Sequence, residues 1–368
     1  MKLNVEIENI NAEINNQTLV IWSKTPLRIL SSAVLNGGLK EANGIINVQV
    51  PEGCGNDKND VHWSPEDFLD KVVQGLQLPN DKVVGLMTAA QMDNVAVSNE
   101  KYDETTLTVF VTAGSTVAVT AGEAAASKGV QLERIGTINI ILLVDGNLTE
   151  GCMVDALKTA TEAKTVALRE LDIRSRFSGD IASGTLTDSV AIGCTKKGGA
   201  IQYAGTFTML GELIAKCVRG AVKSAIYKQE KLAPNRPLVE RLAERGISLE
   251  IIMSLMSERK ITNESSKYQQ LQKQLELILS DRKIVSLVIA GLRLDDDLSK
   301  GLIPTKTANT VDQVSFEEIV QTALRCSLND LSQLDFVKEK PVDETHLGPF
   351  TKCLLIAILK KAHSNIII

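Results

Sequence analysis

Apolar and polar positions follow two rhythms along this chain. Over the first two-thirds, short runs rich in β-branched residues and bounded by Gly, Asn or Pro predict strands: "LNVEIEN", "TLVIWS", "LRILSSAVL", "INVQV", "KVVGLMTA", "TLTVFVTAG", "TINIILLV" and "SVAIGCT". Three stretches change the period. "SPEDFLDKVVQGLQ" places Ser64 to cap a helix, Pro65 at its first position and acids in its first turn, and longer amphipathic runs cover about 149–171 and 207–228. Strands with covering helices predict an α/β (α+β) layered domain with a mixed sheet over residues 1–228.

At "KQEKLAPNRP" charge and two prolines interrupt the pattern, which predicts a linker over 229–237. Beyond it the strand rhythm stops. "LVERLAERGISLEIIMSLMSERK", "KYQQLQKQLELILSDRK", "SFEEIVQTALRCSLNDL" and "FTKCLLIAILKKA" carry three- and four-residue apolar spacing, and Ser315 with Glu318 reads as a capping box. Residues 238–368 are therefore expected to form an all-α helical bundle.

The 368 residues and 44% hydrophobic content agree with two domains. A formal net charge of -5 provides no basic excess for nucleic acid or an anionic membrane, so neither partner is expected. No apolar run has the length of a membrane span and the N-terminus lacks a signal-peptide pattern, which leads to the expectation of a cytoplasmic protein. Six scattered cysteines without a CxxC pair read as reduced thiols, and three distant histidines do not encode a local metal site or triad. The chemistry falls to carboxylates, hydroxyls, amides and lysines.

One cation breaks the helical pattern at 149–171. Met153, Leu157, Ala160, Leu168 and Leu171 form a stripe, and Lys164 falls in the middle of it. Burying an ammonium costs several kcal/mol, about the effective penalty per ion, unless it is paired. Lys164 must snorkel out, find a carboxylate or line a polar pocket, and the nearest candidate partner by sequence is Asp188, on the small-residue loop "GDIASGTLTDS" that follows the helix. Glu162 and Glu212 lie on charged faces and read as solvated. Loops of similar small-residue composition occur at "SSAVLNGG", "TAGSTVAVTAG", "IGTINI" and "TKKGGAIQYAGT". Glycine permits close backbone approach and the hydroxyls and amides supply uncharged donors, which suits a large ligand edged with carbonyls.

Taken together, "SSAVLNGG", "GLMTAA", "TAG", "GTINIILLVDGNLTEGCMVDALKTATEAKTVAL", "ASGTLTDS" and "YAGTFTMLGELIAKCV" resemble the adenosylcobinamide amidohydrolases of archaeal corrinoid salvage, over about residues 20–228. The resemblance implies hydrolysis of the amide joining the corrin ring's propionate to aminopropanol, with a corrinoid substrate and no protein-bound cofactor. Ser183 and Leu186 depart from a family pattern closer to ATGTGTD, and Phe207 stands where relatives often have His. For such a reaction Asp188 would activate water or a Thr hydroxyl, with Thr185 and Thr187 as candidate nucleophiles. Lys164 would tune Asp188 or protonate the amine. Loop amides with Asn36 or Asn139 would bind the oxyanion, and Gly37, Gly38, Thr112, Gly114, Thr137 and Gly184 complete the expected substrate surface.

The second domain is similar to archaeal α-ribazole-5′-phosphate phosphatases through "VSLVIAGLRLDDDLSKGLIP", "EKP" and "LGPF", which implies α-ribazole phosphate as a second substrate and a magnesium ion held by Asp295, Asp296 and Asp297. Thr351 and Lys352 stand where relatives carry a pair of acids. Two rival roles remain: a corrinoid carrier that cuts nothing, and a second domain serving as a homodimerisation or docking module through "CLLIAIL".

Overall fold

The computed structural model describes residues 1–51, 64–123, 136–255, 266–303 and 347–367. Two units emerge, Met1–Pro234 and Asn235–Ile368. The first contains β1 (Lys2–Leu3), β2 (Ile10–Asn15), β3 (Thr18–Ser31), β4 (Gly38–Gln49), α1 (Pro65–Gly75), β5 (Val83–Thr88), β6 (Ala96–Tyr102), β7 (Thr105–Gly114), β8 (Ala118–Val119), β9 (Thr137–Asp145), β10 (Asn147–Leu148), α2 (Glu150–Glu170), β11 (Gly184–Thr185), β12 (Ser189–Cys194), β13 (Ala200–Ile201) and α3 (Met209–Glu230).

The principal sheet is mixed and runs β1-β2-β3-β12-β9-β7-β6, with β4 on the other edge of β3 and β5 beyond it. β9 and β12 are parallel, whereas β7 runs antiparallel to β9 and β3 antiparallel to β12. β3 is the hinge of this arrangement. Its first half pairs with β2 and its second with β12, while its opposite edge pairs with β4 across a register shift between Trp22 and Leu27. The sequence reads β3 as two strands, and the register shift falls between those two runs.

Side-chain alternation then sorts two cores. Ile138, Ile140, Leu142 and Val144 of β9 pack with Val109 and Val111 of β7 under α2 and α3. The intervening Ile141 and Leu143 face the other way and join Phe110, Ile21, Ile45 and Leu86, so β3, β4 and β5 fold over the central strands. α1 covers the outside of β4 and β5 through Leu69 and Val73. It starts as its sequence predicts, with Ser64 accepting from the Asp67 amide at 3.2 Å. α2 lies close to the sheet because its buried face is largely alanine: Ala156, Ala160, Ala163 and Ala167. The polar-flanked strand β6, "AVSNEKY", is absent from the sequence reading because most of it is only half-buried.

Among the described residues the second unit holds helices α4 (Leu238–Ala243), α5 (Leu249–Ser254), α6 (Ser266–Leu279), α7 (Arg282–Ser299) and α8 (Pro349–Ile367), packed around Leu242, Leu275, Val288 and Leu355. Within "LVERLAERGISLEIIMSLMSERK" the helix is interrupted at Gly246, which has a φ of 76° and follows α4, and Ser248 recaps the chain as α5. The helix expected around Ser315 and Glu318 lies outside the described residues. α3 continues to Glu230, so the expected linker over 229–237 begins inside a helix. No helix among the described residues is long and apolar enough to cross a membrane.

One close approach sets the start of α3. Thr208 caps it by accepting from the Gly211 amide at 3.0 Å, and a Cβ at Gly211 would sit 1.9 Å from the Gly205 carbonyl oxygen. Gly211→Ala is expected to cost about 1–3 kcal/mol as overpacking. The midpoint of thermal unfolding should fall by about 2–4 °C for each kcal/mol, measured by circular dichroism.

Candidate active site

Lys164 and Asp188 meet. α2 carries Lys164 on its sheet-facing side, where the residue is only 6% exposed, and its Nζ donates to Asp188 Oδ2. Asp188 immediately precedes β12, and its parity with Val190 and Ile192 turns its carboxylate toward α2. Three further donors close on that carboxylate. Ile138 N donates to Oδ1 at 3.0 Å, Thr185 N to Oδ2 at 3.1 Å, and Thr185 Oγ1 to Oδ1. An ionised carboxylate has about four lone-pair sites, so this one is filled. Gly184 is the condition for that geometry: a Cβ there would lie 2.5 Å from Asp188 Oδ2 and 2.8 Å from Lys164 Nζ.

Thr112, Gly114, Thr137, Asn139 and Thr187 occupy the same end of the central strands. Thr112, Asn139 and Ser189 are neighbours across β7, β9 and β12, and Gly114 pairs with Thr137. Thr137 Oγ1 and Thr187 Oγ1 are 2.8 Å apart, and Thr187 Oγ1 also reaches the Gly136 carbonyl at 3.3 Å. Neither side-chain amide assigned to the oxyanion is available to donate. Asn139 Nδ2 donates to Asn47 Oδ1 at 2.9 Å and to the Met87 carbonyl at 2.6 Å, and Asn47 Nδ2 donates to Thr112 Oγ1 at 2.9 Å. Asn36 Nδ2 donates to the carbonyls of Asn80 and Val83, both at 2.8 Å. Asn139 ties β9 to β4 and β5, and Asn36 ties the turn before β4 to the start of β5. Gly37 and Gly38 belong to the same turn: a Cβ at Gly37 would meet the Ala33 carbonyl oxygen at 2.4 Å, and Gly38 has a φ of 84°.

Sequence reasoning misses two residues of this edge. Asn47 gives no local sign, because its partners lie on β7 and β9. Glu230 looks like part of a charged linker, yet its carboxylate accepts from Ser115 N at 2.5 Å and from Ser115 Oγ. Phe207 and Tyr203, in the loop before α3, are exposed, and the Ala204 carbonyl between them accepts from Thr159 at 2.8 Å.

The acids expected to hold magnesium lie within α7, where successive side chains point about 100° apart and do not converge on one ion. Asp295 accepts from the amides of Phe350 at 2.9 Å and Thr351 at 2.8 Å and so caps α8, while Asp296 faces Arg245 at 3.2 Å and Arg293 at 3.7 Å. Among the described residues no three His, Cys, Asp or Glu side chains gather as a metal site. This donor set does not fit a magnesium ion.

A thiol nucleophile is excluded at two positions by burial. Cys152 sits in the first turn of α2, where the helix dipole favours a thiolate, yet burial, with smaller contributions from Asp155 and Cys194, pushes it up to about 11. Burial likewise raises Cys217 to about 11.

The family model described as adenosylcobinamide amidohydrolase matches residues 2–234. A protein of Methanocaldococcus jannaschii named only as uncharacterised is 36% identical over 244 residues, covering 62% of this chain and 92% of its own. An adenosylcobinamide amidohydrolase of Methanosarcina mazei is 32% identical over 224 residues, 58% of this chain and 96% of that protein. One of Halobacterium salinarum is 25% identical over 100 residues, 27% of this chain and 40% of that protein.

At pH 8 the folded protein is expected to leave Cys152 and Cys217 unlabelled by an aromatic disulfide reagent, and unfolding should release both. Peptide mass spectrometry of the labelled protein checks this; rapid labelling of either in the native state would contradict it.

Proposed function

This chain belongs to the adenosylcobinamide amidohydrolase family, and from that premise we propose that it cuts the amide joining the corrin ring's propionate to aminopropanol, releasing adenosylcobyric acid. The observation that carries the mechanism is the filled carboxylate of Asp188. A water molecule reaches that carboxylate only by displacing a donor, and two of the four donors are fixed backbone amides. The proton that Asp188 accepts therefore comes from the Thr185 hydroxyl, and Thr185 Oγ1 attacks the amide carbon.

The protons then balance locally. Lys164 gives a proton to the departing amine as the C–N bond breaks, and regains one from Asp188, its ion-pair partner. Water hydrolyses the resulting Thr185 ester and the cycle closes. Because Asn36 and Asn139 are committed elsewhere, the oxyanion falls to backbone N–H groups of the exposed turn at Leu186 and Thr187. Thr137 and Thr187 brace that turn against β9. The corrinoid's cobalt arrives with the substrate and takes no part. This reading is confined to Met1–Pro234, where the family match lies, and assigns no phosphoryl chemistry to the second unit.

Asp188→Asn and Lys164→Met are each expected to lower turnover of adenosylcobinamide by about 10²–10⁴-fold, the usual range for loss of acid–base assistance. Thr185→Ala should do the same and Thr185→Ser should retain activity, with products identified by mass spectrometry. Wild-type turnover in Thr185→Ala would make water the nucleophile, and a ligand returned intact by the native chain would make the protein a carrier. Lys164→Met should also destabilise the fold by about 3–5 kcal/mol, since it strands a buried carboxylate, so a melting curve must accompany the assay.

A further inference from the structure

The last turn of α3 holds three consecutive side chains that all reach loops at the Asp188 edge of the sheet. Lys228 Nζ donates to the Val95 carbonyl at 2.7 Å. Gln229 Oε1 accepts from Gln91 N at 3.1 Å and from Asn94 Nδ2 at 2.8 Å. Glu230 accepts from Ser115 N, from Ser115 Oγ and, at 3.4 Å, from Thr116 Oγ1. A carboxylate at a helix C-terminus opposes the helix dipole. Long side chains also lose rotamer freedom when ordered. Glu230 is therefore held there by what it binds, not by the helix.

What it binds leads to the reacting groups. The Ser115 loop presses on Gly136, where a Cβ would lie 2.8 Å from the Gly114 carbonyl oxygen, 3.1 Å from Val117 N and 3.4 Å from Thr185 Cγ2. Gly136 in turn offers its carbonyl to Thr187 and precedes Thr137 and Ile138, whose hydroxyl and amide hold Thr187 and Asp188. We propose that Glu230 is a positioning residue for the amidohydrolase reaction: through Ser115 it sets the Gly114–Val117 loop, and through Gly136 it sets Thr185 and Thr187. The kinetic part of this inference rests on the function proposed above; the structural part does not.

The test compares Glu230→Ala, Glu230→Gln and Lys216→Ala in the full chain. Lys216 is the control: it lies on the same helix as Glu230, but its partner is Glu100 of β6, away from the loop. Hydrogen exchange is followed by mass spectrometry, alongside kcat and KM for adenosylcobinamide and thermal melting. Glu230→Ala is expected to speed exchange at Ser115 and across 136–138. It should also lower kcat/KM by tenfold or more, in line with the sensitivity of catalysis to about 1 Å of misplacement, with the melting midpoint close to wild type. Glu230→Gln keeps an acceptor for the Ser115 amide and should recover most of the loss, and Lys216→Ala should match wild type throughout.

Unchanged exchange and kinetics in Glu230→Ala, or equal losses in Glu230→Ala and Lys216→Ala, would overturn the inference. So would faster exchange with full turnover. If the wild-type chain yields no adenosylcobyric acid, the functional reading fails, and the exchange pattern alone then supports or rejects the clamp.

Discussion

An ammonium on the apolar stripe of a helix and a carboxylate at the buried start of a strand are each untenable alone, and the first unit is organised around their meeting. Lys164 and Asp188 have side chains only 8% and 13% exposed, so their pairing must satisfy both. It succeeds because the two backbone amides of Ile138 and Thr185 and the Thr185 hydroxyl complete the carboxylate's shell. The consequence is geometric: α2, the start of β12, the start of β9 and β11 all converge on one side chain.

Much of this was legible from periodicity. Lys164 stands where packing requires a hydrocarbon, and Asp188 lies on the small-residue loop that follows its helix. β5, β7, β9 and β12 were visible through their β-branched runs because both faces of these strands are buried. What could not be read depends on contacts across layers. Asn47 and Asn139 are joined by the folding of β4 and β5 over β9, so neither residue's neighbours in sequence reveal that its amide is engaged. Asp295, Asp296 and Asp297 resembled a ligand set in one dimension, but the helix that carries them turns them apart. Glu230 was hidden because a helix that outlasts its expected end looks like the charged linker that follows it.

The small-residue composition of the loops also has a different origin from a simple hollow for ligand. Gly184 is bare because Asp188 and Lys164 occupy the space of its side chain, and Gly136 because Gly114, Val117 and Thr185 crowd it. These glycines let polar groups approach the backbone and each other. The same packing concentrates the hydroxyls of Thr137, Thr185 and Thr187 around Asp188.

β3 belongs to both sheet layers at once, with β2 and β12 taking successive halves of one edge and β4 the other. In such a strand inward and outward positions are dictated twice, by Ile21 in one half and Ile29 in the other, both fully buried. Deleting one residue inside either paired half would reverse the facing of the residues beyond it and expose that half's isoleucine. Changes of chain length are therefore confined to the ends of β3 and to the register shift between Trp22 and Leu27, and within each paired half only substitution is open.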